Sequence, residues 1–488
     1  MKEFNLLIIF SLYIPLSLAQ SDPFNFDIAP TSPNAYAFSK YVDLPESSYT
    51  GLVPITIPIG SINEKGAIVD ITLSYHASGI KVDEIASWVG LGWSLNAGGV
   101  ITREERDMAE RPGEDGDILP TRLDIGFPDL NPDTGRFDDL NILFKAINKS
   151  HLYDIEPDIF YYNFGNRTGK FVFDEKGDVQ FYKYEDIKIE FVKSNPSSAT
   201  SAINSKFIIT DENGIIYEFG EIDIAYSVEF SEMIPTSWYL TKIVSPQGGE
   251  ITFNYSKRVA KHYYNQKISL LIDEGKNIDH YGWPAPELHW GISNEIFLES
   301  ISSSSSGSIK FSVGTSPRLD YRSNMPSFAL DEISFYDLHD EPVKHVQFNT
   351  SYFVAPEFNS DFAAFGAPDI VAFEHLRYRL KLDAVTFLSG DKSYSQPPYK
   401  LDYYTDVNPT LYNLPYRLSV NQDHWGYFND AGNSTLIPEI TWTVYAGQWF
   451  EMFLQMDGYS TNNFVGGANR EGDSIAVKAC ALHKISYP

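Results

Sequence analysis

Cysteine is almost missing from this chain. The one thiol, Cys480, excludes an intrachain disulfide, so buried apolar surface must hold the fold, and an aromatic content of 15% supplies it. Its neighbours Ala479, Ala481 and Leu482 mark it as a small buried hydrophobe rather than a nucleophile. Basic residues are scarce too. The 37 Lys and Arg against 65 Asp and Glu leave a net charge of −28, a field that repels phosphate backbones and argues against nucleic acid as a partner. Past the first twenty residues no stretch approaches the roughly 18 apolar residues a membrane span needs. Helical spacing is also rare. Its best instance, Asp138 to Ile147, places Leu140, Leu143, Phe144 and Ile147 on one face over fewer than three turns.

Strand patterns fill the space that helices leave. Pro54–Ile59, Ala67–Tyr75 and Lys206–Thr210 alternate apolar and polar residues between Gly, Asn and Pro punctuation. Two hairpins can be read directly, Phe171–Tyr182 and Phe207–Phe219, with Gly177 and Gly214 at tips that require positive φ. The expected fold is mainly β, with antiparallel sheets in sandwich-like or shell-like layers and little helix.

Lys2, the apolar run Leu6–Leu16 and Ser17-Leu18-Ala19 read as a secretory leader cleaved after Ala19, which predicts a secreted or cell-surface protein. Six stretches follow from composition. They are a signal peptide 1–19, an N-terminal β region 20–110, an acidic linker with a short helix 111–150, a hairpin region 151–256, a connecting segment 257–290 and a β region 291–488.

An irregular recurrence marks the second half. Leu240-x-x-Ile243, Leu298-x-x-Ile301, Leu330-x-x-Ile333, Leu382-x-x-Val385 and Leu482-x-x-Ile485 suggest one supersecondary unit reused with insertions, although the bare pattern is common in any apolar sequence. Leu240-Thr-Lys-Ile-Val-Ser-Pro246 runs on into a turn and a strand, and Leu482-His-Lys-Ile-Ser-Tyr-Pro488 matches it up to the proline. That comparison predicts a chain that stops inside a repeat unit, hence a piece of something longer.

No catalytic motif emerges, and no catalytic residue is named. Gly90-Leu-Gly92-Trp lacks the third glycine and the βαβ setting of a dinucleotide loop, so Trp88, Gly90, Gly92, Trp93, Gly98 and Gly99 read as a close-packed structural motif. Asp423, His424, Trp425 and Tyr427 form a polar-aromatic cluster with two readings, a sugar-stacking site or a structural corner. Calcium is the cofactor the sequence raises, through Asp115 and Asp117 in one turn and Asp211 and Asn213 in another, but neither turn completes an EF-hand loop. Solvated turn acids are the plainer account of both, and the expectation is no cofactor.

Several motifs together resemble a known family. They are Leu73–Val82 with Ala86–Arg103, Pro157–Phe164 with Gly169–Val172, Gln422–Asn429, and Gly467–Arg470 ahead of Leu482–Ile485. The set resembles the N-terminal region of secreted Rhs/YD-repeat proteins of the Bacteroidota type, and the Gly-x-Gly-Trp-x-Leu stretch is similar to one at the start of toxin-complex B components. The resemblance implies a β-shell built from hairpin repeats, ahead of a variable C-terminal region that carries the activity. This chain lacks the run of Tyr-Asp repeats and the Asp-Pro self-cleavage segment of such proteins. The function so implied is a noncatalytic scaffold whose partner is the missing C-terminal part of the same polypeptide. The alternatives are a surface adhesin or carbohydrate-binding module, and a β-rich glycan hydrolase.

Overall fold

The computed structural model describes residues 32–35, 55–106, 157–174, 176–192, 205–227, 232–267, 287–322, 325–356, 370–438, 440–441, 464–465 and 467–488. The leader, the acidic linker and the helix expected at Asp138–Ile147 lie outside them. Among the described residues the fold is mostly β, 54% strand against 5% helix, as the alternation predicts.

In chain order the strands are β1 (Ile55–Glu64), β2 (Ala67–Tyr75), β3 (Trp93–Asn96), β4 (Gly99–Glu104), β5 (Ile159–Phe164), β6 (Arg167–Phe173) and β7 (Val179–Phe181). Then come β8 (Ile187–Val192), β9 (Lys206–Asp211), β10 (Ile216–Ser227), β11 (Glu232–Val244), β12 (Glu250–Lys267), β13 (Glu287–Ser303) and β14 (Gly307–Val313). The last are β15 (Leu330–Tyr336), β16 (Pro342–Val354), β17 (Tyr378–Ser389), β18 (Tyr399–Tyr403), β19 (Ile440–Thr441), β20 (Phe464–Val465) and β21 (Leu482–Ser486). Strands β1 to β3 form one small sheet. A 16-stranded antiparallel sheet runs from β21 through β18, β17, β16, β15, β14 and β13 to β10, β11, β4, β5, β6 and β7, with β12, β8 and β9 attached to its centre. The inward faces of both sheets share one hydrophobic core, from Ile57 to Cys480.

Of residues 257–290, read from the sequence as a connecting segment, 257–267 and 287–290 are ladder, since β12 and β13 pair from Ile251↔Ser303 out to Lys267↔Glu287, and 268–286 lie outside the described residues. Polar residues such as Lys257 and Asn265 interrupt the apolar alternation there, which is why composition suggested a link.

The Leu-x-x-Ile recurrence has a physical cause. Residues three apart in a flat strand point to opposite faces, so both can reach one core only if an extra residue intervenes. Each of the five strands carries that extra residue. Glu218 faces Lys242 while Phe219 faces Leu240, which leaves Thr241 out of the ladder. Glu299 is left out in β13, Asp331 in β15, Asp383 in β17 and His483 in β21. The flanking Leu and Ile or Val residues all join the same core. Each bulge also faces the strand laid down before it: β10, β12, β14, β16 and β18 in turn. On the other side β11, β13, β15 and β17 each turn back into a return strand, β12, β14, β16 and β18. The sheet therefore grows by bulged lead strand, connecting turn and return strand, the turn being short in the first three units and nine residues long between β17 and β18. Strand β21 is a lead strand with its bulge in place and pairs only β18 among the described residues.

Candidate functional site

The turns share a second device. In Asp174–Asp178, Asp211–Ile215 and Asp337–Glu341 the first residue's amide donates to the fifth carbonyl, and the fourth amide donates to the first carbonyl. The leading Asp Oδ1 accepts the amides of the third and fifth residues at 2.8–3.0 Å. The fourth residue has positive φ, +80° at Gly177, +77° at Gly214 and +62° at Asp340. A carboxylate that organises two amides is a turn staple. Ser245–Gly249 repeats the backbone pattern with a serine hydroxyl in place of the carboxylate.

The cluster singled out at Asp423 is the same turn. Asp423 Oδ1 accepts the amides of Trp425 at 2.8 Å and Tyr427 at 3.0 Å, and Gly426 sits at φ +89°. Arg470 Nη2 donates to the Asp423 carbonyl at 2.6 Å and ties the turn to the chain near 470. Val82 donates to the Gly426 carbonyl, and Tyr427 lies against Gly79, so the turn docks on the loop that follows β2. Asp423 is buried, whereas the Trp425 ring is 67% exposed with His424 edge-on beside it at 6.3 Å. Asp423 and Tyr427 thus hold the turn, while His424 and Trp425 face outward.

The pair raised for calcium falls on a stapled turn as well. Asp211 Oδ1 is occupied by the amides of Asn213 and Ile215, and its Oδ2 lies 3.5 Å from the Tyr217 hydroxyl. Asp115 and Asp117 lie outside the described residues. Among the described residues no three His, Cys, Asp or Glu side chains gather in a metal-binding group.

The Gly/Trp motif is the keystone between the two sheets. The loop between β2 and β3 is pinned by the Leu91 amide on the Leu380 carbonyl and the Leu330 amide on the Trp88 carbonyl, both at 2.8 Å. Trp93 Nε1 donates to the Tyr403 hydroxyl at 2.9 Å, which donates onward to the Leu382 carbonyl at 2.7 Å. Trp88 packs on Phe297 and Phe311, and Trp93 on Tyr75. The glycines are there because nothing larger fits: a Cβ on Gly92, at φ +74°, would come within 2.7 Å of the Tyr75 ring, and one on Gly90, at φ +137°, within 3.0 Å of the Leu382 amide. Gly98 and Gly99 lie equally close to Phe253 and Phe164. No phosphate cradle is formed, because these close approaches are all to the protein itself.

Beneath this loop lies a buried ionic network that the sequence did not reveal. Arg318 forks onto Asp320 at 2.9 and 2.7 Å, and donates to the carbonyls of Ser87 at 3.0 Å and Ala86 at 2.9 Å. Arg417 donates to the Asp320 carbonyl at 2.7 Å, and Arg379 to the Val82 carbonyl at 2.6 Å. Burial by itself would raise the Asp320 carboxyl, but Arg318 and Arg417 bring it below the usual range. Burial lowers Arg379 to about 10. The partners of Arg318 and Asp320 are distant in sequence, Ser87 and Ala86 by more than 200 residues and Arg417 by 97, so no local pattern marks the pair.

A smaller anchor sits at the β1–β2 tip. Glu64 has no exposed surface and accepts the hydroxyl of Ser303, and the amide and hydroxyl of Ser305, each at 2.8 Å. The hydroxyls of Ser303 and Ser305 hold its carboxyl down at about 2. The serine run Ser302–Ser306, a low-complexity loop by composition, is the cradle for this carboxylate.

No family model matches the sequence, and no curated protein matches it. Among solved structures the chain is similar to TcdB2-TccC3 with Cdc42, at 12% identity and a TM-score of 0.35, over 72% of this chain and 16% of that one. It is similar to the Photorhabdus luminescens Tc holotoxin pore at 13% identity and a TM-score of 0.37, over 74% of this chain and 16% of that one. It is also similar to the N-terminal domain of the effector SpvB from Salmonella typhimurium, at 14% identity and a TM-score of 0.31, over 69% of this chain and 98% of that domain. The chain thus spans about a sixth of the toxin chains it matches and nearly all of the SpvB domain.

Proposed function

We propose that this chain is a noncatalytic structural wall, the leading part of a secreted Rhs/YD-repeat-like protein that encloses or presents a region of the same polypeptide. The observation that carries the proposal is the open edge of β21. Four lead strands are each backed by a return strand, and the fifth has the bulge and inward pairing of a lead strand with no described strand behind it. An open edge of this kind is a template for another strand. The buried arginine network and the keystone loop support the same reading, because they fix the two sheets to each other and give the wall rigidity.

Mass spectrometry of the native secreted protein tests the proposal. We expect peptides that map beyond Pro488 and a following region that resists protease until the β wall is unfolded. A native protein with no such region contradicts it. A second reading rests on Trp425, an exposed indole on a rigid stapled turn, which suits stacking on a sugar face. On that reading Trp425→Ala abolishes glycan-array binding while melting is unchanged. Undiminished binding by the variant rejects that site.

A further inference from the structure

We propose that His345 is a charged clasp, an imidazolium that donates from both ring nitrogens and so binds the turn between β17 and β18 to β15, and that loss of one ring proton undoes it. Three elements meet at this ring. His345 stands in register with Ser334 of β15 and Leu388 of β17, and it is buried. Its Nδ1 lies 3.0 Å from Glu332 Oε1 and 2.8 Å from the Ser334 hydroxyl. Its Nε2 lies 3.0 Å from the carbonyl oxygen of Gly390, in the turn. The turn is held close: a Cβ on Gly390 would come within 1.9 Å of the Pro342 carbonyl oxygen. Lys392, at φ +57°, places its amine 2.7 Å from Glu332 Oε2.

Counting hydrogens decides the state of the ring. A carbonyl oxygen only accepts, so Nε2 must carry a hydrogen to bond Gly390. Glu332 also only accepts while it is ionised. Burial by itself would raise its carboxyl, but Lys392 and Ser334 bring it below the usual range. The Ser334 hydroxyl has one hydrogen, which it donates to Glu332 Oε1 at 2.8 Å. If Nδ1 is bare, that hydrogen can turn to the ring, but Glu332 Oε1 then faces the lone pairs of Nδ1 and of the hydroxyl with no hydrogen between them. If Nε2 is bare instead, its lone pair faces the Gly390 carbonyl. Only the imidazolium fills every contact: Nδ1 and the hydroxyl donate to Glu332 Oε1, and Nε2 donates to Gly390.

The other charges on this face are already engaged. Lys392 from the turn sits on the far oxygen of Glu332, and Lys310, opposite Ser334 on β14, bonds Asp340 at 3.3 Å. Asp391, also in the turn, accepts the hydroxyls of Ser389 and Ser393. From β17 the neighbour in register is the uncharged Leu388. The sign follows from the contacts: the clasped state needs the second ring proton and the open state does not, so the clasp is closed in acid and opens as pH rises through the titration of the ring.

Nitrogen-15 spectra of the His345 ring, recorded on the full chain alongside amide hydrogen exchange, test the clasp from pH 5 upward until the ring gives up a proton. Both ring nitrogens should be protonated at the acid end. The amides of Lys392 and Gln396 bond the Ser389 and Phe387 carbonyls within the turn. Their exchange, corrected for the intrinsic rate, should rise about tenfold as the ring loses its proton, and along the same curve. In His345→Gln that step should be absent. A ring with one bare nitrogen at every pH overturns the clasp, and so does turn exchange that ignores the loss of the proton. Both are read on the unmodified chain, whether or not the variant folds. The same step in both proteins overturns it as well.

Discussion

Single carboxylates do two kinds of structural work in this protein. Glu64 serves as a cross-sheet anchor, and its carboxyl is held near 2 against a usual 4.5. A depressed folded-state value means that its contribution is present above the usual range and fades as pH falls toward the lower one. The melting temperature of Glu64→Gln should therefore lie below that of the unmodified chain at pH 6, and the gap should close between pH 4.5 and pH 2. A gap that is constant across this range would show that the serine cradle does not stabilise the charge. The Asp staples work locally. Asp423→Ala frees two amides in a part-buried turn and should cost about 1–3 kcal/mol by urea unfolding. The same change at the exposed Asp337 should cost less, because water can replace the carboxylate there. In the sequence Asp211 reads as a calcium ligand or a solvated turn acid, and Asp423 as part of a sugar-stacking site or a structural corner. The residues of the Asp-x-x-Gly pattern were visible, but the use of one oxygen for two backbone amides is a matter of geometry that composition does not carry.

At the scale of the element, the bulged lead strand is the unit. Its sequence trace, Leu-x-x-Ile, was legible as a recurrence and opaque as structure, since a spacing of three belongs to neither a flat strand nor a full helical turn. The ladder supplies the missing term, one residue out of register per lead strand. Deleting Asp331, an exposed bulge residue, should turn Leu330 toward solvent and cost about 1.5–3 kcal/mol for that side chain alone. Asp331→Ala should be near neutral. Equal effects of the two changes on the urea midpoint would refute the role of the bulge. The hairpins at Gly177 and Gly214 were legible because their determinants are local. The two ends of the connecting segment, 257–267 and 287–290, were not legible as strand because β12 and β13 pair over residues tens of positions apart, where polar side chains leave no apolar trace.

Across the whole molecule, rigidity comes from contacts no window of sequence could show. Arg318 joins a loop near residue 87 to Asp320 and, through it, to Leu380 and Arg417. Arg318→Met leaves Asp320 buried without its main partner, a change that typically costs about 3–5 kcal/mol. The loss should appear as a lower urea midpoint and as faster exchange at the Leu91 and Trp93 amides. A midpoint that does not move would mean that the network is incidental to the joint between the sheets.

The account depends most on the claim that the wall grows by repeated units and that β21 awaits its return strand. Residues 247–255, which follow the matching Pro246, can be appended after Pro488, and hydrogen exchange of the β21 amides compared with and without the extension. Protection of β21 should rise at least tenfold with the extension. It should not rise when the alternating Ile and Phe of the extension, copies of Ile251 and Phe253, are replaced by serine. No gain in protection from the intact extension, or the same gain from both, would contradict the account.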